Sequence, residues 1–533
     1  LFDFDGVVMD TESQYSIFWN EVGKGATLVI TENSTGSLKA VGGAYGAAGI
    51  GGKAGSTGYE GRNLETGTII IKGGTIEAEG GAYWVSYSRD YHGGAGIGTG
   101  RYGIGGTIKI LGGTITAKGG RQTGAGIGGG GVPTAIKAVY GSGHPVMGFL
   151  GEFDALPGLS QKVSVNKEPV EGQPYGHGCG HNLLCSAHVA GVIGLKEEMI
   201  QRNLPGTIVF YACPGEELLT GKPLMAKGGA FEGLDVAVNF HPNKINEATV
   251  GVSTAVNSAK FHFYGKASHA ANAPENGRSA LDAVELTDIG ANYLREHVPS
   301  DVRIHYTIVD GGVAPNIVPD KAVVWYYMRA FSREVVENVY ERLVKVAKGA
   351  AMMTETELEI EFLGGCYNTQ NNHVLAGVVA EAMNEIPQEP WTQEELDFAA
   401  ALDEQTADAA RATTKKYGLS ADTHLYTGPG QVTCFNSYGS TDVGDVMHLV
   451  PTAYFFTACT NMGAPAHSWQ FASCAGSSIG EKGMIYAAKV MALYGLKLIE
   501  KPELIAQAKE EFDRQMEGRS YKCPIPDGMT MPW

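Results

Sequence analysis

What this chain lacks removes several classes of protein. Eight cysteines among 533 residues, with no paired spacing, do not make a disulfide framework. They read as buried thiols in a reducing compartment, and a cytoplasmic location is expected. No apolar run approaches the ~18 residues that a membrane span needs, so no membrane partner is expected. Basic residues are outnumbered: 40 Lys and Arg against 57 Asp and Glu leave a net charge of -17. That argues against nucleic acid as the main partner, because phosphate binding needs a basic face. A small anionic substrate, which needs only one local arginine or lysine, stays open. The opening Leu1-Phe2-Asp3-Phe4-Asp5 carries acids where a secretory signal would carry Lys or Arg. An initiator methionine is also missing, so the expectation is a sequence that begins inside a longer reading frame.

What is present falls into three zones of unlike composition, enough chain for about three domains. In residues 1–22, Asp3-Phe4-Asp5-Gly6-Val7-Val8-Met9-Asp10 resembles the opening strand and loop of haloacid-dehalogenase-type phosphatases. That resemblance makes Asp3 a nucleophile and Asp5 an acid/base. The later Ser/Thr, Lys and acidic pair of that family do not follow in order, so the fragment is expected to be inert. Residues 23–131 hold 35 of the 75 glycines. Gly67-Thr68-Ile69-Ile70-Ile71-Lys72-Gly73-Gly74-Thr75-Ile76 recurs as Gly106-Thr107-Ile108-Lys109-Ile110-Leu111-Gly112-Gly113-Thr114-Ile115, and Ala-Gly-Ile-Gly appears at 48–51, 95–98 and 125–128. Short alternating strands between Gly-Gly turns predict a β-solenoid or stacked hairpins. The repeats resemble those of bacterial adhesin-like proteins, so a non-catalytic surface protein carrying an inactive hydrolase is one alternative. The glycines recur periodically and no Gly-Lys-Ser/Thr ends a strand, so they are not a nucleotide loop. Three such zones in one chain suggest a fusion or an assembly artefact.

Residues 132–533 have ordinary globular composition. Pro145 to Leu150 and Thr207 to Ala212 read as buried strands, and His188 to Gln201 has helical spacing. This order predicts a parallel sheet whose site lies at the carboxyl ends of its strands. The chemistry sits in Gly176-His177-Gly178-Cys179-Gly180-His181-Asn182 and, shortly after it, Pro214-Gly215-Glu216-Glu217. A thiolate, an imidazole and adjacent carboxylates suit zinc or a similar transition metal. Two neighbouring glutamates offer one ligand and one general base, as metal-assisted hydrolysis requires. His241 and His467 lie in loop-like settings downstream. Five candidate ligands and a spare carboxylate can hold two metal ions with a water between them.

These motifs, with Gly148-Phe149-Leu150-Gly151-Glu152-Phe153-Asp154-Ala155-Leu156-Pro157, Asn239-Phe240-His241-Pro242 and Ala466-His467-Ser468, resemble the aminoacylase/carboxypeptidase metallopeptidases over about residues 131–515. The resemblance implies that Cys179, His181, Glu217, His241 and His467 bind two divalent ions, zinc or manganese, with Cys179 placed to bridge them. Glu216 would be the general base that also protonates the leaving amine. Asp154 would orient a ligand imidazole, and His177 would stand beside the ligands without joining them. Glu152 occupies a position where many relatives place a metal-binding His, read as a feature of the Cys-bearing branch.

Residues 253–363 read as an inserted α+β lid of β-α-β-β-α-β order, between catalytic segments 132–252 and 364–533. The family's lid dimerises, which implies a homodimer or a heterodimer with a related A-type subunit. His269, after Gly265-Lys266-Ala267-Ser268, matches a histidine that polarises the scissile carbonyl across the dimer. Asn316 and Arg329 resemble groups that grip a substrate carboxylate, a task that suits an arginine fork. Asp442 falls where the family has a substrate-binding or ligand-orienting acid. Residues 386–420, polar and rich in Glu and Gln, read as a surface excursion. The fold class is therefore α/β: a zinc-peptidase-like catalytic domain with a mixed, largely parallel sheet, an α+β lid and an N-terminal Gly-rich β-repeat. The expected function is amide hydrolysis of an N-acyl amino acid, foremost an aroyl- or acyl-glutamate such as p-aminobenzoyl-glutamate. Another N-acyl amino acid or a dipeptide is the near alternative.

Overall fold

The computed structural model describes residues 135–527 and 529, together with thirteen short strands between residues 7 and 128. Asp3 and Asp5 lie outside the described residues. The chain divides into two compact units, Leu1–Tyr140 with Val209–Pro214 and Thr530–Trp533, and Gly141–Ile208 with Gly215–Met529.

In the first unit, Val7–Met9, Thr27–Ile30, Thr68–Ile71 and Ile108–Ile110 follow one another in a parallel sheet. Tyr15–Ser16, Ser37–Val41, Thr75–Glu79 and Thr114–Lys118 form another. Equivalent positions of the sequence repeat are aligned: Ile69 with Ile108, Ile76 with Ile115, and Ile97 with both Ile50 and Ile127. The isoleucines Ile50, Ile69, Ile71, Ile76 and Ile97 are buried.

The second unit is built on strands Val146–Glu152, Val236–Asn243, Thr452–Ala458, Glu247–Thr249 and Gln431–Thr433, neighbours in that order. The first three run parallel, and Glu247–Thr249 opposes Thr452–Ala458. The three parallel strands are largely buried, as parallel strands covered by helices must be, whereas Gln431–Thr433 at the edge is partly exposed. Helices His181–Arg202 and Ser478–Glu500 pack closely on each other. At Gly495 a Cβ would stand 2.4 Å from Leu195, so a side chain there would push the pair apart. Glu152 closes the first strand, and His241 sits near the end of the second. Both therefore reach the carboxyl edge, where a sheet of this type presents its site.

Within this unit, residues 255–366 form a four-stranded antiparallel sheet. Its order is Arg303–Asp310, Lys321–Ala330, Ala255–Tyr264, Glu357–Cys366. Helices Ala280–Leu294 and Arg333–Thr354 cover one face. Phe261, Phe263, Val324, Tyr326 and Met328 alternate inward against Val339 and Leu343. Each large apolar side chain buried there is worth about 1.5–3 kcal/mol against exposure. Ser279 and Ser332 cap the two helices by accepting from the backbone N–H of Asp282 and Val335. Buried Arg333 donates to the carbonyls of Val256 (2.9 Å) and Cys366 (3.2 Å), tying the second helix to two strands. Among the described residues, no helix is long and apolar enough to cross a membrane.

Candidate metal centre

The Cys-Gly-His loop enters the long helix through Gly180, whose φ of 81° is left-handed and free of strain only for glycine. A Cβ there would also stand 2.9 Å from Phe471 and 3.0 Å from Pro242. The preceding Gly178 accepts the backbone N–H of His467 at 3.1 Å, joining the early loop to the late one. His467 itself holds φ at 55°, unusual for a residue with a Cβ, and such strain gathers at functional sites.

These constraints gather eight side chains singled out in the sequence. Cys179, His181 and His241 present ligand atoms within 4.8 Å of one another, and so do Cys179, Glu217 and His467. The Cys179 sulfur is common to both groups and lies 3.3 Å from His241 Nε2. His467 Nε2 is 3.4 Å from Glu217 Oε2. Glu152, His181 and Glu216 make a third such group. Asp154 Oδ1 meets His181 Nδ1 at 3.1 Å, and Oδ2 accepts the Glu217 backbone N–H at 2.9 Å. His181 Nε2 is thereby left facing the carboxylates, 3.5 Å from Glu152 Oε2 and 3.9 Å from Glu216 Oε2.

The side chains fit divalent ions. His181 Nε2, Glu152 Oε2 and Glu217 Oε1 are buried without a hydrogen-bond partner. Each such atom costs about 1–3 kcal/mol unless something else satisfies it. Thiolate, imidazole and carboxylate together are the donor set for zinc or a neighbouring transition metal. Burial, with His181 beside it, holds the His241 imidazole down at about 4, so its ring nitrogen is neutral and able to ligate. Burial pushes the Cys179 thiol up to about 12, against the pull of His181. An ion must therefore displace its proton. Burial also lowers His181, but Asp154, Cys179 and Glu152 outweigh it and hold the imidazole well above its ordinary range. Glu216 is lifted well above the usual carboxylate range, first by burial and then by the charges of Glu152 and Asp442.

Lys222 carries no motif in the sequence, yet it is fully buried here. Its Nζ donates to Glu152 Oε1 at 2.7 Å and to Asp442 Oδ1, and its backbone N–H donates to Asp442 Oδ2 at 2.8 Å. Both oxygens of Asp442 are thus engaged by the lysine. Its neighbours Ser440 and Thr441 line the adjacent cavity. His177, half-buried, lies beside Asp154 and His181, outside all three groups.

Two of the other sequence-predicted groups stand apart. His269 is exposed on the inserted sheet domain, and its hydrogen bonds are local. Its Nδ1 accepts from the backbone N–H groups of Ala271 (3.2 Å) and Asn272 (3.1 Å), which puts the ring proton on Nε2. Exposed Asn316 is beside it, its carbonyl accepting the Ala270 N–H at 3.0 Å. Arg329, by contrast, reaches the cavity wall: Nη1 donates to the Tyr438 carbonyl (3.3 Å) and to Ser440 Oγ (3.2 Å).

A cavity of about 340 Å³ opens beside Cys179 and His241. His241 is paired across the sheet with Phe456, and Phe456 with Glu247, so the three form one row. The segment expected to be a surface excursion contributes two cavity residues, Lys416 and Tyr417. It is anchored by buried Asp403, whose carboxylate accepts from Asn461 Nδ2 and the Gly463 N–H, both at 2.6 Å, and meets His424 Nδ1 at 2.7 Å. Polar composition concealed that anchor, because its partners lie 21 to 60 residues along the chain.

Comparison with known proteins matches residues 255–352 to the peptidase dimerisation domain. The chain is 38% identical to the B-type subunit of p-aminobenzoyl-glutamate hydrolase from Escherichia coli (strain K12) over 423 residues, covering 75% of this chain and 87% of that one. It is 30% identical to the Xaa-Arg dipeptidase of Mus musculus over 396 residues, covering 72% and 78%. Among solved structures, a dinuclear metal-binding peptidase of the M20 family from Bacillus subtilis overlays 69% of this chain and 86% of its own, at 18% identity and a TM-score of 0.45.

Proposed function

The chain belongs to the M20 peptidase family, and from that membership we propose that its centre cleaves the amide bond of an N-acyl amino acid, foremost an aroyl-glutamate such as p-aminobenzoyl-glutamate. The observation that carries the proposal is the shared Cys179 sulfur between two ligand groups, with a buried, unligated carboxylate alongside.

Cys179, His181, Glu217, His241 and His467 would hold two divalent ions, zinc or manganese. When bound, the ions supply positive charge that polarises the amide carbonyl and eases deprotonation of water. Glu216 takes the proton from the attacking water and returns it to the leaving nitrogen. Its upward-shifted carboxyl suits that exchange, since a shuttle works best when its pKa approaches the working pH. Glu217 cannot share the task while its oxygens are given to a metal, so adjacent identical residues divide the work by environment. His269, with its proton on Nε2, would donate to the developing oxyanion of a partner chain's substrate. Arg329 and Asn316 would receive the amino-acid carboxylate. The dimerisation domain supports a homodimer or a pair with a related A-type subunit; the A-type and B-type subunits of p-aminobenzoyl-glutamate hydrolase are both relatives of this chain.

Release of p-aminobenzoate from p-aminobenzoyl-glutamate by the purified chain, supplied with zinc or manganese, tests the reading. Metal-dependent release that Glu216→Ala abolishes is expected. Two bound ions without release from any acyl-glutamate would refute the substrate assignment.

A further inference from the structure

The cavity beside the centre has a defined far end. His241, Phe456 and Glu247 are register partners on three adjacent strands, so their side chains stand on one face of the sheet. Two strand spacings, about 10 Å, separate the first from the last. The Phe456 ring lies between them, 6.2 Å from His241 and 4.8 Å from Tyr454, centroid to centroid. All four line the cavity.

The far end is closed by a connected polar group. Lysine can only donate, so Lys416 Nζ, 3.2 Å from Tyr417 Oη, commits the tyrosine to pass its own proton onward. That proton reaches Glu247 Oε1 at 3.3 Å. Lys416 Nζ also sits 4.7 Å from the Tyr417 ring and 4.5 Å from the Phe435 ring, and those two rings meet edge-on at 6.0 Å. Glu247 is buried, only 5% exposed, yet borders the cavity. A carboxylate accepts about four hydrogen bonds, so capacity remains after the tyrosine and Thr433 are served.

We infer that this end of the cavity binds the distal edge of an aromatic acyl group carrying a hydrogen-bond donor, with Phe456 as the floor beneath the ring and Glu247 as the acceptor that reads the donor. The assignment rests on the acyl-amino-acid reading above and deepens it. A ring substituted at opposite ends spans the row: the scissile carbonyl at the His241 end, the donor at the Glu247 end. Unsubstituted or acceptor-bearing rings would leave that remaining capacity of a buried carboxylate unfilled, which is how a polar site rejects near-isosteres.

The test compares p-aminobenzoyl-glutamate, benzoyl-glutamate and p-nitrobenzoyl-glutamate as substrates of the metal-loaded full chain. The wild type should favour the amino substrate in kcat/KM by at least tenfold over the other two. Glu247→Met should erase most of that ratio, and Glu247→Gln, which keeps one acceptor, should retain part of it. Equal kcat/KM on all three, or a ratio unmoved by Glu247→Met, overturns the assignment. Binding of p-aminobenzoate and benzoate is measured in parallel by calorimetry. If no aroyl-glutamate is cleaved, the amidohydrolase substrate reading fails on its own. The subsite then stands if p-aminobenzoate binds at least tenfold tighter than benzoate in the wild type and not in Glu247→Met, and falls if the two bind alike.

Discussion

Asp154 meets His181 Nδ1 at 3.1 Å and so decides which nitrogen of that ring faces the ligand cluster. The same carboxylate accepts the Glu217 backbone N–H, setting the segment that carries a candidate carboxylate ligand. One acid thus positions two candidate ligands from different loops. Asp154→Asn should weaken metal affinity by about 10–100-fold, the usual effect of losing such an orienting partner. Chelator competition on the purified variant reads this directly, and unchanged affinity would remove Asp154 from the centre.

The adjacent glutamates should separate cleanly. Glu216→Gln is expected to keep both ions while kcat falls by about 10²–10⁴, the range of a lost general base. Glu217→Gln should lose metal first and activity as a consequence. Elemental analysis alongside kinetics distinguishes them; equal metal loss in both variants would contradict the division of roles.

Asp403 links the helical segment Gln393–Gln405 to the loop leading to His467. Asp403→Ala leaves two buried donors, Asn461 Nδ2 and the Gly463 N–H, without their acceptor. Each stranded donor costs roughly 1–3 kcal/mol. A lower Tm together with reduced metal occupancy is expected. A lower Tm with full occupancy would show that the loop holds His467 without this anchor.

Asp445 should give the chain an acid-favouring stability term. Burial, aided by Asp442, pushes its carboxyl up to about 7, although the Tyr367 N–H, the Tyr521 hydroxyl and Arg333 pull the other way. The folded state therefore keeps a proton that the unfolded chain sheds near pH 4. This contribution is full below that value and is lost as pH climbs to about 7, at most on the order of 4 kcal/mol. Asp445→Asn should flatten the decline, so the variant gains on the wild type between pH 5 and pH 8 in urea denaturation. A constant difference across that range would show that Asp445 is ionised in the folded chain.

The candidate ligand cluster was legible as a cluster because its residues come in short phrases, Cys179 with His181 and Glu216 with Glu217, whose chemistry is meaningful before any fold is known. Strand and helix periodicity located the inserted domain for the same reason: Phe261, Phe263, Val324 and Tyr326 alternate in the sequence as they do in the core. Lys222, Glu247 and Lys416 were illegible because their partners are made by topology. Lys222 meets Asp442 across 220 residues, and Glu247 becomes a neighbour of His241 only when the strand Thr452–Ala458 is laid between them. Polar composition at 386–420 hid an element anchored by two buried carboxylates, Asp403 and Glu395, the latter accepting from Ser478 and Lys482. His269 and Asn316, which the sequence assigned to catalysis and substrate binding, make their hydrogen bonds close by on the exposed surface of the lid.

The row from His241 through Phe456 to Glu247 acts as a ruler whose gradations are backbone hydrogen bonds. Its length is fixed by the spacing of paired strands, which no single substitution alters, and a one-residue slip of the middle strand would turn Phe456 to the opposite face. The chemistry at its far mark, by contrast, rests on one side chain. One substitution can therefore retune what is recognised at that mark, while the reach from the candidate metal centre to it stays the same.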